Sequence, residues 1–217
     1  MSTRWKMAAG AAAVAAALGG AGLAQAQLSL PGLPCLIGCG GGGGGGGTVT
    51  TLVGQAAGAT AVVLGNVVSL GDSGTVTDPS QPIGGGQAFG SIPGLLSAES
   101  LHSAAMAWTD QVASQASLSN LTMTVGGLGI TAGFIGSEAL AIAGGAPSGA
   151  SAVEALRIGG VAVPVTGAPN QQVSVPGLTV ILNEQTQNAS GIVVNALRVR
   201  TPDGLTDVAL GTSRAGI

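Results

Sequence analysis

From Thr48 onward the chain alternates short apolar stretches with Ser, Thr, Gln and Asn, and Gly or Pro interrupts it every few residues. That texture, rich in Val and Thr, predicts strands joined by turns. The strands expected are Ala59 to Val68, Leu95 to Thr109, Gln111 to Val125, Ile130 to Ala143, Ala152 to Ile158, Val161 to Val165, Leu178 to Asn183, Ile192 to Arg200 and Thr206 to Gly211. Glu99 to Ser119 holds Ala and Gln, which favour helix, but its Ser and Thr content and weak 3.6-residue period place it with the strands. In Ile192 to Arg200 a period of two separates Ile192, Val194, Ala196, Arg198 and Arg200 from Val193, Asn195, Leu197 and Val199. The second set carries the bulkier apolar end and is expected to face inward. Ile158-Gly159-Gly160-Val161 reads as a two-residue hairpin, because paired glycines accept the positive φ that primed turns require. Pro202-Asp203-Gly204 reads as a turn between the last two strands.

The pattern predicts an all-β domain over residues 56–217, an antiparallel β-sandwich-like or flattened barrel fold, with a β-solenoid-like stack as the alternative. A faint echo supports the solenoid: Ser119-Asn120-Leu121-Thr122-Met123, Glu154-Ala155-Leu156-Arg157-Ile158 and Asn195-Ala196-Leu197-Arg198-Val199. No turn motif recurs with it, so one kind of strand used several times in a sheet is the better reading. Phe89, Trp108 and Phe134 are the aromatics of this region. The core is therefore expected to be Val, Leu, Ile and Ala in thin, closely spaced layers.

Residues 1–26 have a different character. Arg4 and Lys6 precede an Ala-rich apolar stretch from Met7 to Leu23, and Ala24-Gln25-Ala26 fits the small-x-small rule of a signal peptidase. A signal peptide cut between Ala26 and Gln27 is expected, with no transmembrane span in the mature chain. Residues 27–55 then read as a disordered Pro/Gly-rich linker, with Pro31, Pro34 and eight glycines from Gly40 to Gly47. The glycine run lacks the Lys-Ser/Thr that follows a phosphate-binding loop.

Composition narrows the function. Charged residues are 7% of the chain, aromatics 2%, and 40 of 217 residues are glycine. Removing the leader leaves Arg157, Arg198, Arg200 and Arg214 against nine acids, a formal charge of −5. From Gln27 to Val153 there is no Lys or Arg, which excludes nucleic acid as a partner because that stretch repels phosphate. Sparse charge also favours self-association or packing against cell-envelope components.

Candidate chemistry is thin. Cys35 and Cys39 suit a short disulfide in an oxidising compartment, while Leu36-Ile37-Gly38-Cys39 is similar to a lipobox that would place a thioether lipid on Cys39. Metal binding by these two without a nearby His is the weakest of the three readings. His102 stands near Ser100, Ser103 and Asp110. There is no G-x-S-x-G elbow, and strand alternation points Ser103 away from His102. Glu99, Glu138, Glu154 and Glu184 could supply paired carboxylates for glycoside hydrolysis, without the aromatic platforms that usually hold sugars. Asp72 with Asp78, and Asp203 with Asp207, are weak calcium candidates, each pair in one loop. No cofactor is expected.

The last third adds a family resemblance. Pro164-Val165-Thr166-Gly167-Ala168-Pro169-Asn170-Gln171-Gln172, then Pro176-Gly177-Leu178, Leu182-Asn183-Glu184-Gln185, Val194-Asn195-Ala196-Leu197-Arg198-Val199, Asp207-Val208-Ala209-Leu210-Gly211 and Ala215-Gly216-Ile217 follow one another. This succession resembles the choice-of-anchor P family of exported bacterial surface proteins, and the looser match extends back to Ala57. The resemblance implies an exported β-domain without catalytic residues. Ile217 is not followed by an LPxTG-like motif or basic cluster, so anchoring is expected at the N-terminal side, if anywhere. The functional expectation is a non-catalytic cell-surface or secreted structural or interaction module, with a secreted hydrolase or an N-terminally anchored lipoprotein as alternatives.

Overall fold

The computed structural model describes residues 51–79 and 81–217. The leader, its cut at Ala26 and Gln27, Cys35, Cys39 and the glycine run lie outside the described residues. Thirteen strands form two antiparallel sheets, and no helix occurs among the described residues. They are β1 (Val53–Val63), β2 (Asn66–Val76), β3 (Ile83–Ile92), β4 (Leu96–Ala107), β5 (Gln111–Val125), β6 (Leu128–Ile142) and β7 (Ser148–Glu154). After these come β8 (Arg157–Ile158), β9 (Val161–Ala162), β10 (Gln171–Val175), β11 (Leu178–Asn188), β12 (Gly191–Arg200) and β13 (Thr206–Gly216).

One sheet runs β10-β11-β12-β13-β1-β2; the other runs β3-β4-β5-β6-β8-β9, with β7 also paired to β6. The two face each other as a sandwich and do not close into a barrel. Gly159 and Gly160, at φ 57° and 81°, make the predicted hairpin between β8 and β9. The Pro202-Asp203-Gly204 turn closes with the Gly204 amide on the Thr201 carbonyl at 3.0 Å.

Several boundaries differ from the expectation. β1 starts at Val53, inside the stretch assigned to the linker, because Leu52 is buried and Val53 pairs with Gly216. The single strand expected over Ala59 to Val68 is the end of β1, a turn at Leu64-Gly65 and the start of β2. β3 and β10 were not legible as strands.

The inward face of β12 also differs. Leu197 and Val199 are buried as expected, but so are Ile192 and Val194, from the set assigned outward. The cause is a reversal of alternation that crosses both sheets. Asn183, Ala196, Gly211, Gly58 and Gly71 lie side by side on β11, β12, β13, β1 and β2 and drop out of the pairing. Ala88, Ser100, Asn120 and Gly133 do the same on β3 to β6, and Ala155 follows β7. Six of these residues are left-handed: Gly71 (φ 59°), Ser100 (49°), Asn120 (48°), Ala155 (53°), Asn183 (49°) and Gly211 (56°). A left-handed residue inside a strand resets which side the following side chains take. Thus β5 buries Val112, Ala116 and Leu118 before the line and Leu121, Met123 and Val125 after it. The sequence echo marks this line: Asn120, Ala155 and Ala196 are each followed by a Leu that turns inward. The three copies are divided between the two sheets, so they are neither a stack nor a feature of one sheet.

Two clusters fill the interior. The larger one straddles the line, with Leu118 and Ile135 on one side of it and Leu121, Met123 and Ile130 on the other, packed with Leu101, Leu182, Leu197 and Leu210. Further from the line, Ala105, Val112, Ala139, Ala141, Ile192 and Val194 form a smaller one. Buried serines lie between them, with Ser137 and Ser213 hydroxyls 2.7 Å apart and Ser114 donating to the Arg214 carbonyl at 2.8 Å. The aliphatic core matches expectation, and all three aromatics stay out of it.

Ala155 tests the line directly. Its side chain is exposed, so the left-handed backbone is the main cost, about 1–2 kcal/mol for a residue with a Cβ. Glycine removes that cost but adds unfolded-state freedom. Ala155→Gly is expected to raise the melting temperature by about 1–4 °C in a thermal scan.

Candidate functional site

The crossing from β9 to β10 contains the most resemblance-bearing stretch, and its polar residues bind the loop to the sheet. Gln171 accepts from the Thr166 amide and hydroxyl at 2.8 and 2.7 Å, and donates to the Pro164 carbonyl at 2.7 Å. Asn183 donates to the Gly167 carbonyl at 2.9 Å, and Asn170 accepts from the Gln185 amide at 2.9 Å. These amides are a clasp that holds 163–170 in place.

Beside the clasp, β11 to β13 carry an ionic network. Arg198 grips Asp207 through two bonds, Nε to Oδ1 at 2.9 Å and Nη2 to Oδ2 at 2.6 Å, and reaches Glu184 Oε2 at 2.9 Å. Arg200 donates to Glu184 Oε1 at 2.5 Å. Asn195 donates to Glu184 Oε2 at 2.7 Å and accepts from Thr212 at 2.8 Å. Asp207 foremost, and then Glu184, make the Arg198 guanidinium harder to deprotonate than usual, against the opposing effect of its burial. Each charge is answered within the network. Its neutrality suits a brace between strands better than a binding centre.

Three of the four calcium candidates are engaged in other bonds. Asp207 belongs to Arg198, and Asp72 accepts the Gly74 amide at 2.8 Å. Asp203 accepts from the Thr201 hydroxyl and the Leu205 amide, which together hold its carboxyl below the ordinary range. Asp78 is exposed beyond the end of β2. Among the described residues no group of three or more His, Cys, Asp or Glu is gathered as a metal site.

The remaining candidates fall on the outer face of the seven-stranded sheet. His102 is exposed, while Ser103 is buried and donates to the Gly85 carbonyl at 3.3 Å, so alternation separates them as expected. Asp110 lies in the β4–β5 turn. The strand register aligns Phe89, Glu99, Ser119, Phe134 and Glu154 in one row across β3 to β7. A second row runs Gly86, His102, Ser117, Gly136 and Ala152, and a third carries Ala104, Gln115, Glu138 and Ala150.

Distances follow from this lattice. With strands about 4.8 Å apart and residues about 3.4 Å along, Glu99 and Glu154 are about 14 Å apart, as are Glu138 and Glu154. Glu184 is on the other sheet. Paired glycosidase carboxylates stand roughly 5–9.5 Å apart. Grooves of about 600 Å³ near Thr51, Thr186 and Arg214, and about 450 Å³ along β10, contain none of these acids.

Burial raises the Glu138 carboxyl above its ordinary 4.5. The folded form then holds that proton more tightly than the unfolded chain, so stability rises as pH falls through the raised value toward 4.5. Glu138→Gln is expected to gain about 1–2 °C in melting temperature at pH 7, a gap that closes by pH 4.5.

Two features of this face escaped the sequence reading. Phe89 is 62% exposed and shares its row with Phe134. Gly136 points outward yet is buried, because the Phe134 ring lies over it: a Cβ there would be 3.0 Å from Cε1 and Cζ. Assigning β3 from sequence would have aligned the two rings.

No family profile, curated protein or solved structure matches this chain.

Proposed function

We propose that the chain is an exported, non-catalytic cell-surface or secreted module of the choice-of-anchor P kind, which works through the faces and edges of its sandwich. The observation that carries this reading is the spread of Glu99, Glu138 and Glu154 over one open face, with backbones about 14 Å or more apart and no groove between them. The ionic network supports it as well, since Arg198 and Arg200 are used to brace β11, β12 and β13. A secreted hydrolase would need two acids free to act together; Glu184 and Asp207 do meet, but Arg198 and Arg200 hold them, which favours the bracing role.

The leader pattern ending at Ala24-Gln25-Ala26 supports export. Cell-envelope components or a second copy are the natural partners. The start of β2, Asn66 to Leu70, is an edge without a charged residue, and Val67 is 67% exposed there. A second reading, a lipoprotein held by Cys39, is favoured by Leu36-Ile37-Gly38-Cys39. The intact mass of the native protein tests both. A chain beginning at Gln27 supports the secreted module. A chain beginning at Cys39 with several hundred extra daltons of lipid supports the anchored form, and a chain retaining Met1 to Ala26 overturns export.

A further inference from the structure

The outer face of the seven-stranded sheet carries two aromatic rings and three carboxylates. Phe89 and Phe134 occupy one row, separated by β4 and β5, at about 14 Å. Phe134 lies along β6 over Gly136, where a Cβ would crowd its ring. Glu99 and Glu154 stand in the same row, and Glu138 lies four residues along β6 from Phe134. The nearest cation on this sheet, Arg157, belongs to a different row and donates to the Gly160 carbonyl at 2.8 Å. His102 shares the face and leans over Gly86, whose added Cβ would meet Nδ1 at 3.5 Å.

We propose that this face binds a polysaccharide bearing free amino groups, of the polyglucosamine type. The inference rests on the reading of the domain as a binding module and names the chemistry of its partner. Two observations select the ligand. Aromatic rings on a sheet face, here the exposed Phe89 and the half-buried Phe134, can stack on the C–H side of a sugar ring, and such rings attract ammonium groups. Three carboxylates, Glu99, Glu138 and Glu154, against one arginine, Arg157, which donates to the Gly160 carbonyl, then complement a polycation and disfavour an acidic glycan. A cationic peptide shares the charge but not the shape. Extended peptides add to a sheet along one edge, whereas this face crosses the sheet from Phe89 on the edge strand β3, over Glu99 on β4 and Phe134 on β6, to Glu154 on β7.

The experiment measures binding of the full chain to soluble glucosamine oligomers by calorimetry. Acetylated oligomers and polylysine are run in parallel. The expected result is binding to the free-amine oligomers, weakened about tenfold by Phe89→Ala and further by Glu154→Gln. Both side chains are exposed, so unchanged melting temperatures will show that these variants fold. Absence of binding overturns the proposal, as does equal affinity for acetylated oligomers or for either variant. Tighter binding of polylysine overturns it in favour of a basic protein partner. A chain found outside the cytoplasm that ignores glucosamine oligomers sinks this inference alone. A chain retained in the cytosol sinks the reading beneath it.

Discussion

Gly85→Ala is expected to destabilise the domain by about 3 kcal/mol, lowering the melting temperature by about 6–12 °C. Gly85 sits on β3 where that edge strand meets β2, the place at which one sheet passes into the other. A Cβ built on it collides with the carbonyl oxygen and carbon of Asp72 and lies 3.1 Å from the Ser103 hydroxyl. The nearest obstacle is the Asp72 main chain, so no rotamer change relieves it. Asp72 cannot easily retreat, because its carboxylate receives the Gly74 amide and its strand pairs with β1 through Ala57. Gly86 is the control. It is the next residue, its added Cβ meets nothing closer than 3.5 Å, and Gly86→Ala is expected to cost about 1 kcal/mol or less. Equal losses for the two variants would remove the claim that backbone proximity joins the sheets here.

Glu184→Ala is the second large effect, expected at about 2–3 kcal/mol. The Glu184 side chain is 11% exposed and receives Arg198, Arg200 and Asn195. Removing it leaves Arg198 on Asp207 but reduces Arg200 to a 3.8 Å approach to Asp207. It also strands the Asn195 amide. Arg200 Nε is already buried without a hydrogen bond, so the network has no spare acceptor. The arginines are 29% and 36% exposed, and solvent screens part of the loss, hence a figure below that for a sealed ion pair. Urea unfolding at low and high salt measures it. The gap between wild type and variant should narrow as salt rises, and a salt-independent gap would assign the effect to packing.

What the sequence disclosed was what its local chemistry controls. The limits of β5 are set by Asp110 before it and by Gly126-Gly127 after it, and the Gly159-Gly160 hairpin needs only two residues to specify it. β3 was hidden because Gly84, Gly85 and Gly86 depress strand propensity, and its formation depends on β4 and on the close approach to Asp72. The turn between β1 and β2 was hidden by Leu64, a side chain seldom found left-handed, here at φ 49°. The inward face of β12 was misread because that strand crosses the line at Ala196. Asn120, Ser100 and Ala196 give no sign of that role until their neighbours are aligned. The candidate site was legible as residue types and not as an arrangement. Glu99, His102, Glu138 and Glu154 drew attention singly, and register then distributed them over one face with Phe89 and Phe134. Glu184 and Asp207 meet Arg198 only because three strands lie side by side.

The most direct test of the account is where the native polypeptide resides. Separating host cells into cytosol, membrane, envelope and medium, with an antibody against the sandwich as probe, measures this. The account predicts the chain in the envelope or the medium, shortened by its leader. Full-length chain confined to the cytosol would contradict it.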